Sequence, residues 1–198
     1  MAEVAASKKR GFNFTDHLRF VCADMVARVP ELSHVDLSRV AMACTQVRNR
    51  ASHGVLATMT PLRFANGAKT TVRRGRTYTA QSLRDESGRE MFYILTCFLP
   101  RFMNHTLEEK VLTLLHELWH ISPKFNGDLR RFAGRCYAHG GSQAEYDRQV
   151  AVLAKQWWSL APPHNCYEFL EYDFTKLQAR HGQVLALRLP RPKLIPVG

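Results

Sequence analysis

The chain has 198 residues, 45% of them hydrophobic, which suits one domain with a sizeable core. It holds no apolar run long enough to cross a bilayer, and its start, MAEVAASKKRGF, lacks the apolar centre of a secretory signal. The net charge of +11, from 28 Lys and Arg against 17 Asp and Glu, makes nucleic acid or an acidic partner a live possibility.

Residues 1–12 read as a solvated lead-in, 13–189 as one domain and 190–198 as a basic, proline-rich tail. From Thr15, the apolar positions Leu18, Val21, Cys22, Met25, Val26 and Val29 recur at helical spacing up to Pro30, which predicts an amphipathic helix. Alternation through Val40, Met42 and Cys44 predicts a strand near residues 37–47, and a second is expected at 54–60 before Pro61. Residues 64–76, rich in Gly, Asn, Lys and Arg, read as a long loop or hairpin. REMFYILTCFL, residues 89–99, is the strongest strand signal, and being apolar on both faces it is expected to be covered on each side.

A helix follows. Thr106 and Glu109 form a capping box, and Val111, Leu112, Leu114, Leu115, Leu118 and Trp119 wrap most of its circumference until Pro123 closes it. After a loop with Gly127 and Gly140-Gly141, Ser142 and Glu145 make a second capping box for a helix carrying Tyr146, Val150, Leu153, Ala154 and Trp157. Pro162-Pro163 ends it. A short helix near residues 174–180, capped by Gly182, and a strand over 184–189 complete an α+β domain: a small mixed sheet packed on a buried helix, with further helices.

That buried helix carries HELWH. His116 and His120 are one turn apart on the same face, so both imidazoles can reach one tetrahedral zinc. Glu117 beside them can accept a proton from an activated water, which is the chemistry of the H-E-x-x-H signature. Two histidines and a glutamate buried on an apolar helix without partners would be costly, and a metal offsets that cost. The alternative is two core histidines bonded to backbone, with Glu117 at the surface. For the third ligand His139, in the turn HGG, leads. Asp128 and Glu145 are the alternatives, although a capping role already explains Glu145. Tyr137, Tyr146 and Arg130 are candidates to stabilise an oxyanion. His17, His34, His53, His105, His164 and His181 stand alone, and Trp157-Trp158 reads as packing. The cysteines, Cys22, Cys44, Cys97, Cys136 and Cys166, are odd in number, far apart and without a CxxC pair. They read as buried thiols of a reducing cytoplasm.

Over residues 116–140, HELWHISPKFNGDLRRFAGRCYAHG resembles metallopeptidases of phages, bacteria and archaea, which are similar in layout to SprT-like zinc proteases. The matching residues are His116, Glu117, Leu118, His120, Ile121, Pro123, Phe125, Gly127, Leu129 and Arg130, with the preceding strand and HVDLSRV (34–40) in the same layout. The resemblance implies a zincin-type fold, Zn2+ at His116 and His120, Glu117 as catalytic base, and a small prokaryotic or phage protein. Where relatives carry a histidine soon after the Leu-Arg pair, this chain has Arg131-Phe132, so His139 is an inference and not a match.

The expected function is therefore a zinc-dependent metallopeptidase acting on peptide or protein, with no membrane partner. The alternative is a nucleic-acid-associated protein whose basic surface does the work, the zinc being structural or the proteolysis confined to DNA-bound substrates. The charge is densest at residues 69–76 (KTTVRRGR) and 188–193 (RLPRPK).

Overall fold

Strong local signals in the sequence become the frame of the molecule. A computed structural model describes residues 11–47, 53–132 and 143–197. In chain order its elements are β1 (Phe12–Asn13), α1 (Phe14–Arg28), β2 (Val40–Gln46), β3 (Ala57–Pro61), β4 (Thr70–Arg73), β5 (Arg76–Ala80), β6 (Tyr93–Leu99), α2 (Leu107–Trp119), α3 (Gln143–Ser159), α4 (His164–Tyr167), α5 (Phe174–His181), β7 (Val184–Leu185) and β8 (Leu194–Pro196). The architecture is mixed α+β. Among the described residues, no helix is long and apolar enough to cross a membrane.

The aromatic, β-branched run at residues 93–99 takes the centre of a three-stranded mixed sheet ordered β2-β6-β3. It runs parallel to β2, in register Val40↔Tyr93 to Gln46↔Leu99, and antiparallel to the edge strand β3. Tyr93, Leu95, Cys97 and Leu99 face the main core with α1, α2 and α3. The opposite face is covered only in part: Ile94 packs with Ala41, Ala43, Leu62 and Met91, while Thr96 and Phe98 are half-buried. The expectation of full cover on both faces holds for half of the strand.

Helix α1 buries Leu18, Val21, Cys22 and Met25, and Asn13 caps it by accepting from the Asp16 N–H. Helix α3 buries Tyr146, Val150, Leu153, Ala154 and Trp157, and the Trp157 indole N–H donates to Asp24 of α1 at 2.8 Å. Asp173 caps α5, and Gly182 at φ 80° ends it.

Three boundaries differ from expectation. Phe12 was assigned to the lead-in, yet it is buried, and with Asn13 it pairs parallel to β7. The strand expected over 184–189 stops after Leu185. Beyond it the chain is a strap: the Leu187 N–H donates to Thr15 Oγ1, and the Leu187 carbonyl accepts from the Cys44 N–H. The tail is not merely a tail, because residues 194–196 form β8 on the edge of β5. The stretch read as loop or hairpin is a hairpin, β4–β5.

Candidate metal centre

Helix α2 starts on the predicted capping box. Thr106 Oγ1 accepts from the Glu109 N–H at 3.2 Å, and Glu109 accepts from the Thr106 N–H at 2.9 Å. The helix buries Val111, Leu114, Leu115 and Leu118 completely. That inward stripe fixes its rotation, and with it the direction of the two histidines.

His116 lies in the last turn and His120 caps the helix. Their Nε2 atoms converge to 3.1 Å, with the rings at 80° to each other. Two nitrogens each about 2.0–2.1 Å from a tetrahedral zinc stand about 3.3 Å apart, so the pair is already close to chelating distance. The pair is spaced as two of the three or four ligands such a metal takes. Tyr146 of α3 backs it from the other side: its ring stacks on His120 (5.1 Å, 28°) and meets His116 edge-on (4.8 Å). Its hydroxyl donates to the His116 carbonyl at 3.1 Å, which ties α3 to the end of α2. Burial, and secondarily the charge of Glu117, raise the Tyr146 phenol far above its ordinary range, so it acts as a neutral donor.

Glu117 is only 7% exposed, which removes the reading that placed it at the surface. Burial pushes its carboxyl up to about 7, opposed by a hydrogen bond from the Met59 backbone in β3. It lies on the wall of a 410 Å³ cleft whose apolar lining includes Val55, Leu56, Leu112 and Val150, with His116 alongside.

After His120 the chain turns back. Phe125 (φ 45°) and Gly127 (φ 84°) make the reversal, Ile121 bridges Leu129, and the Arg130 N–H donates to the His120 carbonyl at 2.6 Å. Asp128, an alternative third ligand, is consumed by this loop. Its Oδ1 accepts from the Leu129 N–H and Arg131 Nη2 (both 2.9 Å), and its Oδ2 from the Asn66 N–H (2.8 Å) and Arg131 Nε (2.6 Å). All four lone-pair positions of the carboxylate are taken. Glu145 is exposed in the first turn of α3 and bonds to Arg148 and Gln149. Arg130 lays its guanidinium 3.6 Å over the Trp119 ring and donates to the Trp119 carbonyl, so it braces the helix end.

His139, Tyr137, Cys136, Gly140-Gly141 and Ser142 lie outside the described residues. Phe132 and Tyr146, on either side of that stretch, are in edge-on ring contact at 5.9 Å. Among the described residues, no group of three or more His, Cys, Asp or Glu is placed to hold a metal, so the donor set there is the His116–His120 pair. The four described cysteines are free and buried; burial pushes Cys22 and Cys44 to about 12, far from a reactive thiolate.

Two supporting residues were not singled out in the sequence. Tyr93 accepts from the Gly127 N–H (3.0 Å) and donates to the Asp128 carbonyl (2.8 Å), pinning the return loop to β6. A tyrosine opening a buried strand was the available signal, since its hydroxyl needs partners. His34, read as solitary, reaches the Ile121 backbone next to His120. No family model, curated protein or solved structure matches this chain.

Proposed function

We propose that this chain is a zinc-dependent metallopeptidase of zincin-like fold, working in the cytoplasm on peptide or protein substrates. The convergence of His116 and His120 Nε2 to 3.1 Å, on a helix buried along its inner face and half-exposed at Leu112, Thr113 and Trp119, beside a buried carboxyl, carries this reading. His116 and His120 would hold the metal, with His139 as third ligand on the sequence argument alone. The free, buried cysteines support a reducing compartment.

Zinc would supply Lewis acidity and a water acidified towards neutral pH. The protein's own residues do the rest. Glu117, whose carboxyl burial raises in the metal-free chain, would take the proton of that water and return it to the departing amine. The apolar cleft beside it seats a non-polar substrate side chain and excludes water from the carboxyl. Tyr146 and Arg130 hold the end of α2, so the two imidazoles keep one geometry without having to be ordered by the metal.

The test is metal content with hydrolysis. Near-stoichiometric zinc is expected in the wild type and its loss in His116→Ala and His120→Ala. Glu117→Gln should keep the metal and lose at least about 100-fold in casein hydrolysis. Absence of zinc after reconstitution, or full turnover in Glu117→Gln, would overturn the reading.

A further inference from the structure

The two densest basic stretches are far apart in sequence, and the fold brings the end of the second, Lys193, to the base of the sheet that carries the first. Strand β5 pairs with β4 on one side and β8 on the other, in register Thr70↔Thr79↔Ile195 and Thr71↔Tyr78↔Pro196. Lys69 and Lys193 thus flank one end of this sheet, where the Gln81 N–H donates to the Lys193 carbonyl, while Arg73, Arg74 and Arg76 cluster at the other end, the hairpin tip, and all of them are exposed. Residues 64–82 and 183–198 contain no Asp or Glu at all. Among the described residues, none of these cations takes part in an ion pair.

The hairpin tip spends stability on charge. Arg73 lies directly opposite Arg76, a like-charge pair that weakens a ladder. Arg74 occupies the first of two positive-φ turn positions (49°, then 75° at Gly75), where asparagine or glycine is favoured and a branched-off side chain costs about 1 kcal/mol. Folding alone does not call for three arginines there. A polyanion does.

We propose that the β4–β5 ribbon, flanked by β8, docks duplex nucleic acid through its phosphate backbone. Its chemistry is that of phosphate contacts: arginines, lysines and the hydroxyls of Thr70, Thr71 and Thr77. Strand β8 pairs along Thr77 to Ala80 only, so the tip at Arg73–Arg76 is two-stranded, and two strands about 5 Å apart enter a major groove about 12 Å wide. A single strand is a poorer fit, because Tyr78 is the one aromatic residue on the three strands and stacking needs a series of them. The inference stands independently of the metal centre.

Fluorescence anisotropy with a labelled duplex of about 20 base pairs, titrated between about 50 and 200 mM salt, tests it. The wild type should bind with a steep salt slope. Arg73→Ala/Arg74→Ala/Arg76→Ala should flatten that slope by about 2.7 and weaken binding roughly 100-fold or more at the lower salt. The triple lysine variant at the same positions keeps the charge and should stay within about threefold of wild type. Arg148→Ala/Lys155→Ala/Lys176→Ala removes the same charge from α3 and α5 and should leave most of the binding intact. Four results would overturn the proposal: no salt-dependent binding by the wild type, equal losses in the two alanine triples, tighter binding of a single strand of the same length, or displacement of the duplex by polyglutamate at equal charge concentration.

Discussion

Lys110 is the most sharply testable residue in the core. It sits on α2, is 1% exposed, and its ammonium donates to the carbonyls of Leu170 (2.8 Å) and Tyr172 (2.9 Å). Those carbonyls close the turn Glu168–Glu171 just before α5, so one side chain fastens the C-terminal helices to the metal-site helix. Burial lowers its pKa from 10.5 to about 8, with Asp173 and Glu109 opposing the fall. The drop corresponds to about 3 kcal/mol against the charged form. Lys110→Met keeps the length and removes both charge and donor. It loses about 1–3 kcal/mol for each carbonyl left without a partner and regains the desolvation cost. At pH 7 the two effects nearly offset, and the variant should lie within about 2 kcal/mol of wild type. Between pH 8 and 10.5 the unfolded lysine still holds its proton and the folded one has lost it, so wild-type stability rises with pH relative to the variant. Urea unfolding of both proteins, followed by tryptophan fluorescence at several pH values, cancels every titration they share. Wild-type stability minus that of the variant should rise by about 3 kcal/mol across that window. Wild-type stability that stays flat or falls relative to the variant would refute a desolvated ammonium at this position.

Tyr146→Phe keeps the ring stacks on both histidines and deletes the hydroxyl that serves the His116 carbonyl. It should cost about 1 kcal/mol of stability and less than about tenfold in turnover, because the hydroxyl is already committed to backbone. A loss of about 100-fold in kcat with stability unchanged would instead make it an oxyanion donor. Gly127→Ala forces a Cβ into the Arg63 side chain at φ 84°. It should lower stability by at least about 1 kcal/mol and loosen the Arg63–Glu90 ion pair, and an unchanged thermal midpoint would contradict this.

What the sequence made legible was local. Thr106 and Glu109 announce the start of α2 because both halves of the capping box lie within one turn, and Gly182 marks the end of α5 for a similar reason. The HELWH spacing fixes two imidazoles on one face, and the surrounding leucines bury the inner face of the helix while His116 stays half-buried on the cleft wall. What stayed hidden depends on partners far along the chain. Lys110 reads as a solvated helix position until Leu170 and Tyr172 deliver their carbonyls. The pairing of β5 with β8 is a long-range ladder, so nothing local shows that Lys193 comes to lie at the base of the β4–β5 hairpin. Asp128 misleads for a different reason: a carboxylate near a metal motif invites a ligand role, yet Arg131, three residues on, claims both of its oxygens. The strand expected to reach residue 189 fails because the chain exchanges a ladder for two isolated bonds at Leu187.

The two three-stranded sheets sit at opposite ends of a scale of local opening. The central strand β6 and the inner face of α2 are closed in by the main core, so their amides should exchange with solvent only in the largest openings of the molecule. The β4-β5-β8 ladder is exposed on most positions and opens on its own, at a fraction of that free energy. Limited proteolysis at low protease concentration therefore trims the basic ribbon while the histidine pair is still intact, so the two surfaces can be separated in a test tube without a mutation.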